Sequence, residues 1–361
     1  QYLAGPAATR LLSEFGADVV KIERTPDGDH GRKIHFVAPG VSAFFLAASA
    51  GKKSLAIEFR SEAGRAIVRN LVRDADVVIE NFSPGVMAKY GFDYASLKVL
   101  NPKLMMCSIS GFGQEGPYAN FTSFDIIAQA QSGVMSMTGE PDGPPQYVGN
   151  YIGDPNAGVH AALAICAALY HRALRGEGQY IDVSQLEALV YLDYINIPLS
   201  MMSGGRIEPK RFGGDFWSIC PYGTYRSTEG YVVLAVAEHQ WPALVRAMGK
   251  PELETDERYA TQIARCARRP EVRAYVESWL QSFADDATPL AILAQARVPS
   301  APILDIAQVP LHPQHAARGL FQDLDHPELG TTPVARAPFK LSTMEMKIPY
   351  RAPYLGEHNE E

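Results

Sequence analysis

PAATRLLSEFGADVVKIE, residues 6–23, carries the reading on which the fold turns. Its first ten residues put Ala7, Leu11, Leu12 and Phe15 on one helical face, and Gly16 is a natural stop. ADVVKIE (17–23) then becomes a short apolar run of the kind a buried strand shows. Helix followed by strand, with a tight glycine joint, is the unit to look for downstream.

It recurs. After the polar loop RTPDGDHGR, residues 62–74 form an amphipathic helix and DVVIENF (76–82) a second strand. Short helices near Val86–Lys89 and Tyr94–Val99 lead to LMMCSIS (104–110), which ends at Gly111-Phe112-Gly113. GQYIDVS (178–184) is a further strand, and EALVYLDYINIPLSMM after it reads as one helix. This alternation predicts an α/β large domain built on an open parallel sheet. Ligands of such sheets bind at strand carboxyl ends, here Glu23-Arg24, Asn81–Gly85 and Ser110–Gly113. From TYRSTEGYVVLAVAE (224–238) the pattern becomes a hairpin turning on Thr228-Glu229-Gly230, followed by helices at 240–248, 271–283 and 288–296. The expected division is 1–202 as the large domain, 203–224 as a glycine-containing linker and 225–310 as a smaller α+β domain. Residues 311–361, proline-punctuated and extended, are expected to return to the large domain.

Composition bounds the function. The 361 residues are 47% hydrophobic and 20% charged, with a net charge of −7, which argues against nucleic acid or an anionic membrane surface as partner. Four scattered cysteines without a CxxC read as reduced thiols of a cytoplasmic protein, and the dispersed histidines offer no metal site. The apolar run Ala161–Tyr170 is about half of what a membrane span needs. No GxGxxG, GxxxxGK[ST], HExxH or GxSxG motif occurs.

Gly153-Asp154-Pro155-Asn156-Ala157-Gly158-Val159-His160 reads as a helix start, with Asp154 as N-cap and Pro155 as the first helical residue. The helix dipole would hold that carboxylate ionised at neutral pH, as a nucleophile requires. Arg24, Lys52, Lys53, Arg60 and Lys89 fall near strand ends, where an edge of positive charge would suit a phosphate-bearing ligand.

These residues resemble a known family. Ala4-Gly5-Pro6, Leu11-Leu12, Gly16–Glu23, Gly28-Asp29 and Arg32 match the amino-terminal signature of class III CoA-transferases, whose members include formyl-CoA and carnitine CoA-transferases. Gly51–Leu55, Asp76–Phe82 with Pro84-Gly85, Asn101-Pro102, Ser110–Gly113 with Gly116-Pro117, Asp125 with Gln129, and Ala352–His358 match in order. The resemblance implies a Rossmann-like large domain, a small domain and two chains interlocked as rings in a homodimer.

It also implies chemistry. Asp154 takes the nucleophile's place: it attacks an acyl-CoA thioester to form a mixed anhydride, the CoA thiolate returns to give an aspartyl-CoA thioester, and an acceptor carboxylic acid attacks that. Coenzyme A contacts carry over to Leu3, Ala4, Arg24, the Ile57–Arg60 segment, Asn81, Phe82, Ser83, Lys89 and the Phe121–Phe124 stretch. Lys89 stands where formyl-CoA transferase has arginine, which keeps charge but forfeits the bidentate fork. Asp125 matches an acidic residue beside the nucleophile, for orientation, proton handling or capping. Ala157, Gly158, Ala161 and Ala162 would either admit the thioester or pack a neighbouring helix. Gly213-Gly214 occupy the region of a glycine lid. The related α-methylacyl-CoA racemases carry a proton-moving histidine where this chain has Phe124, and Glu238 resembles their second acidic residue. Racemisation, or CoA binding without turnover, are the alternatives this leaves.

Overall fold

A computed structural model describes residues 1–361, and contacts divide them into two compact units. One comprises residues 1–134, 147–197 and 312–361; the other comprises 135–146 and 198–311.

The first unit opens with α1 (Ala4–Glu14), β1 (Val20–Arg24), a small hairpin of β2 (Phe36–Ala38) and β3 (Val41–Ser42), and α2 (Ala43–Ser49). It continues through β4 (Lys53–Ile57), α3 (Glu62–Asp74), β5 (Val77–Glu80), α4 (Val86–Lys89), α5 (Tyr94–Leu100) and β6 (Met105–Ser110). Then come α6 (Asp125–Gln131), α7 (Val134–Met137), the long α8 (Gly153–Arg175), β7 (Tyr180–Ser184), α9 (Gln185–Leu192) and α10 (Asn196–Met202), of which α7 and α10 run across the boundary into the second unit.

The fold is mixed α/β with parallel sheets. Hydrogen bonding forms two parallel ladders where the sequence suggested one sheet: β1 pairs with β4, and β6 lies between β5 and β7. The strand missing from the sequence reading is β4, whose Lys53 and Ser54 hide a short run that pairs Ile22 with Leu55. All six residues of β6 are buried, as a strand flanked on both edges and covered on both faces must be. The expected helix from 187 onward is broken, because Asp193 Oδ1 accepts from the N–H groups of Ile195 and Asn196 and starts α10 afresh. The chain after 311 is not merely extended: Phe321–His326 and Gly330–Ala335 form an antiparallel hairpin.

α8 is the spine of this unit. Its Ala157, Ala161, Ala162 and Ile165 are buried with Ala4, Ala8 and Leu12 of α1 and with Cys107 and Ile109 of β6. At 23 residues it is long and apolar enough for a membrane span by length and composition, longer than the run its sequence suggested. The small residues close the helix pair: a Cβ on Gly158 would lie 2.8 Å from the Ala7 Cβ and 2.9 Å from the Ala4 carbonyl oxygen. That answers the sequence's alternative for Ala157, Gly158, Ala161 and Ala162, which serve helix packing rather than thioester access.

In the second unit, Tyr222–Arg226, Tyr231–Ala235 and Ser300–Pro302 form an antiparallel sheet. Helices Trp241–Ala247, Arg269–Leu280 and Ala287–Gln295 cover a core of Val232, Leu234, Trp241, Val272, Val276 and Leu293.

Candidate active site

Asp154 is the second residue of α8 and does not cap it: Ile152 precedes the helix and no side chain of its own turn satisfies the first N–H groups. The cap comes from another helix. Asp125, the first residue of α6 and 3% exposed, accepts the Asp154 N–H on Oδ2 at 2.9 Å. Its Oδ1 accepts from Gln129 Nε2 at 2.5 Å, and Gln129 also donates to Asn150 O and accepts from the Val148 N–H. Asp125 is thus pinned between a helix start and a buried amide, and it holds the first turn of α8 in place.

The side chain of Asp154 is half-buried. Its Oδ1 accepts a hydrogen bond from Gln185 Nε2, and Oδ2 accepts none. Burial, with the Asp125 carboxylate as a like-charged neighbour, pushes the Asp154 carboxyl up from 3.8 to about 7. The expectation that the helix dipole keeps this group ionised at neutral pH is therefore corrected, since desolvation outweighs it. The group is thereby poised near neutral pH.

Gln185 carries no motif in the sequence. It follows β7 directly, and the strand-end rule that singled out Arg24, Asn81 and Ser110 applies equally to the end of β7. Applied there, it would have found Gln185.

Several other expected residues gather around the same end of the unit. Asn81, just past β5, donates to Gln1 O at 2.8 Å, so it fixes the segment carrying Leu3. The Tyr2 ring stacks on His30 at 5.5 Å and meets the edge of Phe124 at 6.1 Å, which joins that segment to the start of α6. Phe121 and Phe124 are more than half exposed. Phe82 and Ser83 follow in the same loop, where the Phe82 N–H donates to Glu80 Oε2. Ala4 and Ile57 are buried, their side chains turned to the core.

The cations divide. Arg60 and Lys89 are exposed without an ion-pair partner, and Arg24 lies 3.6 Å from Asp27. Lys52 and Lys53 do not belong to a phosphate edge. Lys52 is 1% exposed and donates to Pro6 O and Ala48 O, and burial drives its ammonium well below the usual lysine range. Lys53 sits at the amino end of β4 and pairs with Glu361 at 2.6 Å.

Gly213, Gly214 and Glu238 lie in the second unit, each with partners there. Gly213, at φ +60°, donates its N–H to Gly139 O, and a Cβ on it would meet Glu140. A Cβ on Gly214 would collide with Thr224. Glu238 pairs at 2.6 Å with Arg265, whose side chain is fully buried.

Comparison with known proteins gives one answer. The family model described as CoA-transferase family III matches residues 1–359. A succinate–glutarate CoA-transferase from Agrobacterium fabrum is 40% identical across 99% of this chain and 90% of its own. A succinyl-CoA:mesaconate CoA-transferase from Haloarcula hispanica is 36% identical, covering 100% of this chain and 92% of that protein. Among solved structures, a CAIB/BAIF family protein from Brucella suis superposes with a TM-score of 0.89 at 38% identity, over 100% of this chain and 94% of that one. With a matching model along nearly its whole length and relatives this similar at both ends, the chain belongs to the class III CoA-transferases, CoA-transferase family III.

Proposed function

We propose that this enzyme moves coenzyme A from an acyl-CoA thioester to a free carboxylic acid through covalent intermediates on Asp154. The observation that carries the reading is the Asp154 carboxyl itself: half-buried, held at one oxygen, open at the other, and poised near pH 7. A carboxylate in water is a weak nucleophile; one stripped of water and aimed by a fixed helix start is a better one. Leu3, Asn81, Phe82, Ser83, Phe121 and Phe124 would line the CoA path, with Arg24, Arg60 and Lys89 supplying charge for its phosphates. Short dicarboxylic acids are the acceptors to try first, since the relatives above are named for succinate, glutarate and mesaconate.

The racemase reading is weakened at both of its residues. Phe124 has no proton to exchange, and Glu238 is engaged with Arg265. A matrix of acyl-CoA donors and dicarboxylate acceptors, followed by chromatography of both thioesters, tests the proposal. New acyl-CoA in stoichiometric exchange for the donor is expected. Binding without exchange across the matrix, or α-deuterium uptake by a 2-methylacyl-CoA in heavy water, would contradict it.

Asp125 supplies a prediction of sign. Its carboxylate raises the Asp154 pKa, so Asp125→Asn moves the acid limb of the kcat profile to lower pH. It also costs about 10-fold in kcat, as the first turn of α8 loses a charged acceptor. A limb that stays put or moves upward in a pH-rate series would refute the coupling.

We further propose that the enzyme works as a homodimer, interlocked in the manner the family resemblance implies. Opposite its buried face, α8 exposes Val159, Leu163, Tyr170 and Leu174, a stripe of large apolar residues that an isolated chain has no reason to keep in water. The paired change Leu163→Glu with Leu174→Glu should reduce the dimer fraction measured by light scattering. An unchanged mass would remove α8 from the interface.

A further inference from the structure

We infer that Gln185 is the positioning residue of the nucleophile: its amide holds Oδ1 of Asp154, leaves Oδ2 as the attacking atom, and later supports the oxyanion that forms on Oδ1. The inference rests on the reading of Asp154 given above and goes beyond it, because no sequence motif pointed to this position.

The geometry is built rather than incidental. Gln185 is 7% exposed and opens α9 with its backbone fixed from two sides. Ser184 Oγ caps the helix by accepting the Glu187 N–H at 3.2 Å, and the Leu186 N–H donates to Gly111 O at 3.0 Å. Gly111 has no room for a side chain, since a Cβ there would lie 2.2 Å from the Ser123 Cβ. Two residues beyond Asp154, Asn156 Nδ2 donates to Ala188 O at 2.7 Å and ties α8 to α9. With Asp125 fixing the start of α8, both ends of the Gln185–Asp154 contact are anchored.

The chemistry gives that contact three tasks. In the first step Oδ2 attacks the thioester carbon, the C–S bond breaks, and CoA leaves as thiolate. A donor on Oδ1 then keeps the carboxylate rotated with Oδ2 forward. In the second step the thiolate attacks Cγ of the anhydride, the Cγ=Oδ1 electron pair moves onto Oδ1, and it re-forms as the donor acid departs with Oδ2. In the third step the acceptor carboxylate attacks Cγ of the aspartyl-CoA thioester, and Oδ1 again carries the charge until the C–S bond breaks; the released thiolate then attacks the acceptor's acyl carbon, the acyl–O bond breaks, and the new acyl-CoA leaves with the Asp154 carboxylate restored. Gln185 Nε2–H already points at the atom that becomes negative in both, which is what an oxyanion donor requires.

The test uses the full-length enzyme with Gln185→Leu, which keeps bulk and removes the donor, and Gln185→Glu, which keeps shape and substitutes a second carboxylate. Expected are a kcat lower by about 10²-fold in Gln185→Leu, with KM for acyl-CoA within about two-fold of the parent. The acid limb of its kcat profile should move to higher pH, because a donor to the ionised form has been lost, and further still in Gln185→Glu. A purely structural role would not shift that limb upward. If Gln185→Leu fails to fold, the isosteric Gln185→Glu carries the test alone. A folded variant of either kind with kcat and acid limb matching the parent overturns the inference. Asp154→Asn assayed alongside separates the two claims: its full activity would remove the nucleophile, whereas its silence beside a normal Gln185→Leu would remove Gln185 alone.

Discussion

Asp154→Asn is expected to abolish transfer, by about 10⁴-fold or more, and at the same time to make the protein more stable at alkaline pH. An amide has no charge to attack with, which sets the first effect. The second follows from linkage. The carboxyl titrates near 3.8 in the unfolded chain and near 7 in the folded one, so the folded state favours the protonated form. The stabilisation this gives is fully present below about pH 4 and is lost as pH rises through 7, leaving the charged enzyme at a disadvantage above that. Discounted for a carboxyl that is only half-buried, the disadvantage is on the order of 1–3 kcal/mol. Asparagine never bears it. Thermal unfolding at pH 8 should show the variant with the higher Tm, and at pH 4 the two curves should converge. A variant equally or less stable at pH 8 would mean that the nucleophile is not held under strain. Active sites that keep a group in a poorly solvated state commonly show this exchange of stability for function.

Gly158→Leu is the change with the largest expected effect on stability. α1 and α8 approach so closely there that the first carbon added would meet the Ala4 carbonyl and the Ala8 N–H at 2.9 and 3.0 Å. Backbone cannot step aside as a side chain can. The helices must separate, with a loss of about 3 kcal/mol and a Tm lower by about 5–10 °C. Val99→Ala, on the exposed side of α5, should cost under about 1 kcal/mol and serves as the control. Because α8 also carries Asp154, the glycine variant should lose activity at temperatures where it is still folded. Equal melting curves for the two variants would show that the α1–α8 contact is not close.

Local patterns announced most of the scaffold. The strand starting near Val77, the buried strand to Ser110 and the helix from Glu62 to Asp74 stand where period and propensity put them, because each is long, strongly patterned and bounded by turn residues. β4 was hidden because Lys53 and Ser54 look like surface and its stability comes from pairing with β1, whose residues lie 33 positions earlier in sequence. The Phe321–His326 hairpin was hidden by proline and charge.

At the site, the family resemblance singled out Asp154, while the local helix-start reading misjudged its condition. A helix start suggested a charged cap, whereas the cap is Asp125, supplied by α6, and its nearness opposes the charge on Asp154. Long-range burial cannot be read from neighbours in sequence. The same limit explains Lys52, which looked like a phosphate cation and is an interior donor to two carbonyls. Gln185 shows the reverse case: an ordinary residue that becomes informative only once β7 brings it to the carboxyl of Asp154.

The most direct test of the account is to trap the intermediate. The enzyme, incubated with an acyl-CoA it uses and quenched with hydroxylamine or borohydride, is digested and mapped by mass spectrometry. Modification is predicted on the peptide containing Asp154, dependent on acyl-CoA and absent from Asp154→Asn. Turnover with that peptide unmodified, or a covalent adduct on any other residue, would contradict it.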